Sequence, residues 1–292
     1  MDGILVVNKP QGFTSFDVVA KLRGICQTRK IGHGGTLDPM ATGVLPVFVG
    51  AAAKAVDMQP RQDKTYEATL LLGTATDTGD ITGAVLQTAP VAVGGAELQA
   101  VLPRFLGPQQ QLPPMYSAVK YNGKPLYRYA REGKQVERKA RPVTIHSLEY
   151  LGSPAQNRYS LRVHCSKGTY IRTLAEDLGA ALGLPATLAA LCRTQAGEYT
   201  LAGAYTLQEL QQAKDEGTLQ SLLLPVETVF QSLPQLPLQD TALQRLLNGA
   251  PVYGVQAAPG RYAAYAQGAF VGIVAQSEDG VVKAEKLFRQ IV

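Results

Sequence analysis

The sequence predicts an α/β protein with a larger domain of alternating strands and helices and a smaller β-rich domain at its C-terminus. The chain has 292 residues, about twice the usual length of one domain. Hydrophobic residues make up 46% of it and charged residues 17%, which is enough apolar material for a packed core and excludes a mainly disordered chain. The 29 glycines and 18 prolines divide the chain into many short elements.

The N-terminal part begins with a strand and a helix. Gly3–Val7 is an apolar run of strand length, and Thr14 or Ser15 then stands where a helix would be capped. The apolar residues that follow recur every three or four positions, as on one face of a helix. They are Val18, Val19, Leu22, Ile25 and Cys26. A glycine-dense loop over residues 32–39 leads into the apolar run 44–49.

The middle of the chain contains two strands and a helix. Tyr66–Leu72 is predicted to be a strand and is followed by a turn-rich stretch over residues 73–83. Tyr159–Cys165 alternates apolar and polar residues, which indicates a strand with one buried face. Helical spacing of isoleucine and leucine then predicts a helix from Ile171 to Leu182, ended by Gly183.

After about Leu224 the composition changes, and three prolines mark a stretch typical of a linker. A short helix is predicted over 240–248, and three strands are predicted over 262–266, 269–275 and 281–288. We therefore predict a larger domain over residues 1–230 and a small C-terminal domain over residues 236–292.

The positive charge of the chain is concentrated in residues 116–141. The whole chain carries a net charge of +5, and this segment alone, with eight basic and two acidic residues, carries +6. Four tyrosines are interleaved with the basic residues, and such rings can stack on bases. A solvated basic loop would have the same composition, but charge and aromatic residues together favour a nucleic acid partner.

Several common chemistries have no counterpart in the sequence. It contains no phosphate-binding P-loop, no nucleophile elbow and no zinc-protease motif, and its three histidines lack metal-ligand spacing. We therefore expect no cofactor and no metal. The three scattered cysteines fit a reducing compartment, and the longest apolar run, 44–53, is shorter than the roughly 20 residues that span a membrane. We expect a soluble, cytoplasmic protein without membrane contact.

One motif carries a candidate reactive group. Residues 32–45 read GHGGTLDPMATGVL, in which Asp38 is held between a leucine and a proline and the glycines allow close approach of a ligand. An aspartate before proline is by itself more often a turn residue. Residues 35–45, however, match every fixed position of GxLDxxAxGxL, the signature of pseudouridine synthases. The segment therefore resembles the motif in which those enzymes carry their catalytic aspartate.

Further segments resemble the TruB family of these enzymes, in the same order along the chain. They are NKPQGFTS (8–15), KTY (64–66), GTATDTGD (73–80), QLPPMYSAVK (111–120) and SKGTYIR (166–172). The resemblance covers residues 3 to about 230, and the C-terminal part is similar to a small RNA-binding PUA-like domain. It implies a mixed, mostly antiparallel sheet flanked by helices. Gly34 and Phe16 depart from the family pattern, which usually has threonine and histidine there.

The resemblance also implies roles for particular residues. Asp38, Arg172 and Tyr66 are expected to be catalytic: Asp38 reacts, Arg172 pairs with it, and Tyr66 stacks on the flipped uracil. Seven further residues are expected to bind substrate, with His33 entering the space that the base leaves. These residues are His33, Gly35, Tyr170, Lys9, Lys64, Lys120 and Arg128. For Lys9 and Lys64 the sequence leaves open whether they contact phosphate or support the scaffold.

The implied activity is isomerisation of uridine 55 in the T-loop of tRNA to pseudouridine by a stand-alone monomer without a protein partner. The basic segment 116–141 would be an insertion that is mobile in the free protein and ordered on the T-arm. Two alternatives remain open at this point. One is a related synthase that needs a guide RNA and partner proteins, and the other is a tRNA-binding or folding factor.

Overall fold

The larger sheet and its flanking helices dominate the structure, a computed structural model that describes residues 1–60 and 62–288. The strands of the described residues are β1 (Gly3–Lys9), β2 (Ile31–His33), β3 (Thr42–Val49), β4 (Lys64–Leu72), β5 (Thr74–Thr76), β6 (Val85–Thr88), β7 (Gly107–Gln111), β8 (Lys120–Tyr121), β9 (Lys124–Pro125), β10 (Arg141–Ala155), β11 (Arg158–Cys165), β12 (Ala186–Ala196), β13 (Tyr199–Thr200), β14 (Gln235–Pro237), β15 (Gly260–Ala266), β16 (Ala269–Gln276) and β17 (Val282–Leu287). Their α-helices are α1 (Ser15–Ile25), α2 (Gly95–Val101), α3 (Leu126–Arg131), α4 (Ile171–Ala181), α5 (Leu207–Asp215) and α6 (Asp240–Leu247). Short 3-10 helices cover Gly50–Met58, Leu102–Phe105, Leu201–Gly203, Leu219–Leu222 and Val226–Phe230.

The larger sheet is mixed and mostly antiparallel, which confirms the predicted fold class. Its strand order is β1-β3-β12-β4-β11-β10-β7, with β2 paired to β3 and β13 paired to β12. Strand β3 runs parallel to β12. The pairs β12–β4, β4–β11 and β11–β10 are antiparallel. The parallel pair is short and joins Cys192 to Thr42 and Arg193 to Gly43. It therefore brings the end of the glycine-rich loop against the middle of the sheet.

Local sequence signals explain the confirmed elements. Thr14 caps α1 in a capping box: its hydroxyl accepts from the Asp17 N–H at 3.0 Å, and the Asp17 carboxylate accepts from the Thr14 N–H at 2.8 Å. Helix α4 ends at Ala181, and Gly183 follows with φ of +71°, a left-handed conformation that suits glycine. Strand β11 buries its apolar side chains and exposes Arg162, as its alternating pattern predicts.

Strands β1 and β3 lie between two apolar layers. Residues such as Leu5, Leu45 and Val47 point towards helices α1 and α5 and share a core with them. Their alternate neighbours, such as Ile4 and Phe48, point to the opposite face of the sheet. A separate core covers β4, β11 and β12 and is closed by helices α2 and α4. The sheet is therefore packed on both sides at the edge that carries the glycine-rich loop.

The C-terminal strands form a second sheet in the order β14-β15-β16-β17. This β-rich unit is the one that the sequence predicts, although the division at residues 230–236 stays a prediction and residues 289–292 lie outside the described part. The stretch after Leu224 is not an exposed linker. Phe230 is buried in a short 3-10 helix, and Gln235–Pro237 pairs in parallel with β15. Its three prolines flank short packed elements: Pro225 precedes the 3-10 helix, Pro234 precedes β14 and Pro237 is the last residue of β14.

The C-terminal sheet shares a core with the larger sheet. Phe230 stacks on Phe270, with ring centroids 5.9 Å apart, and both rings contact Phe288. This aromatic group lies in the same buried cluster as Ile4 and Phe48. None of the helices within residues 1–60 and 62–288 is both long enough and apolar enough to cross a membrane.

Candidate active site

A cleft of about 1090 Å³ opens beside the glycine-rich loop. Seven of the ten residues that the sequence predicts for the site line it. They are His33, Gly35, Asp38, Lys64, Tyr66, Tyr170 and Arg172. The other three, Lys9, Lys120 and Arg128, lie outside its lining. The fold therefore gathers residues from positions 33 to 172 into one cavity.

Hydrogen bonds to the segment around Gly12 and Ser15 anchor the loop that carries Asp38. Leu37 is buried, and its backbone N–H donates to the Ser15 hydroxyl at 2.8 Å. The Pro39 carbonyl accepts from the Gly12 N–H at 2.8 Å, and the Ala41 N–H closes a turn on the Asp38 carbonyl at 3.1 Å. Leu37 and Met40 are buried on either side of the turn, and the Asp38 side chain lines the cleft.

Asp38 forms an ion pair with Arg172 at the floor of the cleft. Arg172 Nε lies 3.0 Å from Asp38 Oδ2, and the guanidinium is buried while 34% of the Asp38 side chain remains exposed. Burial raises the pKa of the Asp38 carboxyl, the charge of Arg172 lowers it, and nearby Asp80 raises it again. The net direction is upward. The carboxylate is therefore held in place by a cation in a site that penalises its charge.

Arg172 is fully engaged by the surrounding backbone. Its Nη1 donates to the Thr78 carbonyl at 2.8 Å and its Nη2 donates to the Tyr116 carbonyl at 2.7 Å. Asp80 Oδ2 lies 3.9 Å from Nη1, and the Asp80 side chain is itself buried. Arg172 thus connects the reactive loop, the turn between β5 and β6, and the start of the basic segment. Asp80 stands in the segment 73–80 that resembles the family, but it was not among the residues predicted for the site.

Arg193, which sequence reasoning missed entirely, holds the opposite side of the same loop. This residue of β12 is 0% exposed. Its Nε donates to the Val44 carbonyl at 2.7 Å, its Nη2 to the Gly35 carbonyl at 3.1 Å, and its Nη1 to the Thr36 carbonyl at 3.5 Å. The available signal was a single charged residue in a mostly apolar strand, because a buried cation needs specific partners.

Tyr66, His33 and Lys64 form the walls of the cleft. Tyr66 on β4 pairs across the sheet with Arg193 and is 6% exposed, and burial raises the pKa of its phenol. Burial, and to a smaller degree the charge of Arg193, lowers the pKa of His33, which favours its neutral form. Burial also lowers the pKa of Lys64 to about 8, and its ammonium donates to the Gln62 carbonyl at 2.8 Å.

Lys9 is not a substrate-binding residue. Its side chain is 0% exposed, and its ammonium donates to the carbonyls of Pro10, Phe13 and Pro39 at 2.9, 2.5 and 3.4 Å. Burial lowers its pKa to about 8. Of the two roles that the sequence leaves open for Lys9, the structure excludes a phosphate contact, because no part of the side chain reaches solvent. Lys9 supports the loop beneath Asp38 instead.

Lys120 and Arg128 are exposed on the basic segment, outside the cleft. The segment folds into the hairpin of β8 and β9 followed by α3. Its tyrosines contact one another and its own cations: the Tyr121 and Tyr129 rings meet edge to face at 5.9 Å, and Arg131 lies over Tyr127 at 5.5 Å. The binding role that the sequence assigns to Lys120 and Arg128 stays a prediction.

The two departures from the family pattern differ in setting. A side chain at Gly34 would meet Gln59 at 3.1 Å and Phe48 at 3.2 Å, so this position is crowded. Phe16 is 64% exposed at the start of α1, where the Arg23 guanidinium lies 5.6 Å from its ring. Phe16 therefore has little influence on the packing of the reactive loop.

Comparisons with known proteins agree with this geometry. The profile of the TruB family pseudouridylate synthase N-terminal domain matches residues 23–171, and that of the tRNA pseudouridylate synthase B C-terminal domain matches residues 172–231. The chain is 45% identical to tRNA pseudouridine synthase B of Pseudomonas putida, covering 99% of this chain and 96% of the relative. It is 44% identical to the protein of that name from Dechloromonas aromatica, over 98% and 95% of the two chains.

A solved structure extends the comparison to the fold. A chain in the crystal structure of a Cbf5-Nop10-Gar1 complex superposes with a TM-score of 0.76 at 27% identity, covering 98% of this chain and 85% of that one. The family profiles together span most of the chain, and the relatives match it over nearly its whole length. The chain belongs to the TruB family of pseudouridylate synthases.

Proposed function

We propose that this protein isomerises uridine 55 in the T-loop of tRNA to pseudouridine, with Asp38 as the reactive group. The observation that carries the proposal is the ion pair of Asp38 with buried Arg172 in a cleft large enough for a nucleotide. The relatives that match almost the full chain are named tRNA pseudouridine synthase B, which supports tRNA as the substrate.

The reaction breaks the N1–C1′ bond of the uridine, turns the base and joins C5 to C1′. It needs no external group, because the product is an isomer of the substrate. Ionised Asp38 can attack C1′ or accept a proton from the sugar, and both routes need a carboxylate that faces the cleft. Arg172 keeps Oδ2 in position and opposes the protonation that burial favours.

Other residues of the cleft would bind the flipped nucleotide. A base removed from its stack needs an apolar or aromatic face, and the nearly buried ring of Tyr66 offers one beside Asp38. A neutral imidazole suits the space that the base leaves, and burial favours the neutral form of His33. The bare backbone at Gly35, with φ of +123°, allows the RNA to approach closely. Tyr170 and Lys64 would complete the walls of the site.

The whole unit is proposed to act alone, as a monomer on the T-arm, in the cytoplasm. Lys120 and Arg128 on the exposed basic segment would contact phosphates of the arm. The Tyr116 carbonyl at the start of this segment binds Arg172, so docking of the segment on RNA would be coupled to the reactive pair. Free cysteines at positions 26, 165 and 192 fit a reducing compartment.

The test uses an unmodified tRNA transcript, the wild-type protein and the Asp38→Asn variant. Pseudouridine is mapped at nucleotide resolution after incubation with each protein alone. We expect a single new pseudouridine in the T-loop with the wild type and none with the variant, which keeps the shape of the side chain. Binding of the transcript by both proteins is measured in parallel as a control for folding.

Two outcomes would contradict the proposal. Tight, salt-sensitive tRNA binding without any pseudouridine would favour the guide-dependent synthase or the RNA-folding factor. Equal product with Asp38→Asn would show that another group performs the reaction.

A further inference from the structure

Two histidines and an aspartate meet on the outer face of the larger sheet. His146 lies on β10, His164 lies on β11, and Asp63 directly precedes β4. His146 Nε2 is 3.5 Å from Asp63 Oδ2, and the two imidazole centroids are 4.8 Å apart with the ring planes inclined by 45°. One nitrogen or oxygen from each side chain lies within 4.8 Å of the other two. All three residues stand outside the lining of the cleft.

The register of the β10–β11 hairpin brings the two histidines to one face, next to a β-bulge. Ile145 pairs with Cys165 and Ser147 pairs with His164, so His146 is an extra residue in β10 with no partner in β11. In a regular strand His146 and Ser147 would point to opposite faces, but here both are exposed. Ile145 and Cys165 are both buried, so the residues next to them, His146 and His164, lie on the outer face of the sheet. The bulge keeps His146 beside His164 on this face instead of directly opposite it, and bulges are frequent next to functional sites.

The three side chains form a donor set suited to one class of ligand. Imidazole nitrogens with one carboxylate oxygen are typical of Zn²⁺ and its neighbours in the first transition row. Zinc–nitrogen bonds of about 2.0 Å in a tetrahedron place neighbouring ligand atoms roughly 3.3 Å apart. The 3.5 Å between His146 and Asp63 is already close to this value. The ligand atom of half-buried His164 lies within 4.8 Å of the other two, so its side chain would rotate towards them on binding an ion.

We propose that His146, His164 and Asp63 form a binding site for a divalent transition-metal ion of the zinc class. The sequence gives no sign of this site, because its ligands become neighbours only through the pairing of β11 with β10 and with β4. This proposal replaces the expectation of a protein without metal. Three protein ligands leave a fourth position for water, and the bound ion would link β10, β11 and the start of β4.

The position of the site suggests a structural role beside the cleft. Asp63 stands between Gln62 and Lys64, which both line the cleft, and its carbonyl accepts from the Gly197 N–H at 2.8 Å. An ion held by Asp63 would therefore steady this wall while taking no part in the chemistry at Asp38. Binding to the folded state alone would also raise the free energy of unfolding, with the logarithm of the ion concentration once this exceeds the dissociation constant.

The test uses the full chain after treatment with a chelator, titrated with Zn²⁺ alone in a calorimeter. We expect one ion per chain and a higher thermal midpoint in its presence. Each of the variants His146→Asn and His164→Asn should weaken zinc affinity by at least about 100-fold, the upper range for loss of a supporting interaction. Glu149→Gln, which removes an exposed carboxylate from the same strand β10, is the matched control and should keep wild-type affinity.

Cobalt(II) provides a second readout, since a site of this geometry gives the protein a visible absorption that both histidine variants should lose. Pseudouridine formation by the metal-free variants checks that they are folded. Absence of saturable zinc binding would overturn the proposal. Unchanged zinc affinity in the double variant His146→Asn/His164→Asn would also overturn it, because the ion would then be held elsewhere. An equal loss of affinity in Glu149→Gln would overturn it as well, because it would indicate a diffuse effect of charge.

Discussion

Replacement of Arg193 by methionine tests how the reactive loop is held. Methionine keeps an apolar stem of similar length and removes the guanidinium that binds the carbonyls of Gly35, Thr36 and Val44. Those carbonyls belong to the loop that carries Asp38 and to the strand that follows it. The variant should therefore loosen the reactive loop without opening a large cavity.

The expected size of the effect follows from the bond lengths. Two of the three hydrogen bonds, at 2.7 and 3.1 Å, lie in the usual range, and the third, at 3.5 Å, contributes little. At about 1.5–3 kcal/mol for each bond to a charged group, their loss costs about 3–6 kcal/mol. Release of the buried charge offsets part of this cost, so the lower end, about 3 kcal/mol, is expected. A displacement of Asp38 by about 1 Å would lower kcat roughly 100-fold.

Urea unfolding and the time course of pseudouridine formation on a tRNA transcript measure the two effects. Arg162→Met is the matched control, since Arg162 on β11 carries the same group to solvent, where it pairs with exposed Glu67 and Glu149. We expect little change in either measurement for this control. A wild-type kcat for Arg193→Met would refute the reasoning, because the loop would then keep its place without these bonds.

Three further predictions concern the pair, the loop and the basic segment. Asp80 raises the pKa of Asp38, whose ionised form reacts, so Asp80→Asn should shift the acid limb of the kcat/KM profile to lower pH. Gly43→Ala should destabilise the fold in urea by more than about 3 kcal/mol, because φ is +100° and the new Cβ would overlap the backbone of β12. The double variant Lys120→Gln/Arg128→Gln should weaken tRNA binding and reduce the slope of log Kd against log salt by about 1.4.

Each of these predictions has a control and a contradicting result. The acid limb of Asp80→Asn is compared with that of the wild type, and a shift to higher pH would contradict the assignment of the charges. Gly12→Ala has a φ of +84° and open space around the Cβ, so it should cost about 1 kcal/mol; an equal cost at both glycines would refute the close approach. Lys214→Gln on α5 should leave the salt slope unchanged. Equal hydrogen exchange of segment 116–141 with and without tRNA would contradict ordering on RNA.

The sequence predicts those elements well whose burial leaves a periodic pattern. Helices α1 and α4 and strands β4 and β11 each bury one face, and this repeats along the chain at intervals that can be read without a structure. Strands β2 and β14 escaped prediction for the opposite reason. Each has only three residues, and β2 contains a glycine while β14 contains a proline. Each forms a strand because a neighbouring strand offers it hydrogen bonds.

The residues of the site also include some that the sequence identifies and some that it does not. Asp38 and Arg172 could be identified because they stand in motifs that match a family, whereas Arg193 acts from a strand without a motif. The assignment of Lys9 to substrate failed because the sequence does not show on which side of the loop a lysine lies. Its ammonium turns inward to backbone carbonyls, and only the packing of the loop on α1 reveals this. Tertiary contact, not local pattern, decides these cases.

The shared aromatic core of the two sheets sets the distance between them. Phe230, Phe270 and Phe288 join the C-terminal sheet to the strands that carry the glycine-rich loop, so this packing sets the separation of the two surfaces. An RNA that touches the C-terminal sheet can deliver a nucleotide to Asp38 only if its own folded dimensions match that separation. If the C-terminal sheet binds RNA as the family resemblance implies, we expect the packing of these three phenylalanines to contribute to selection of substrate by its overall shape.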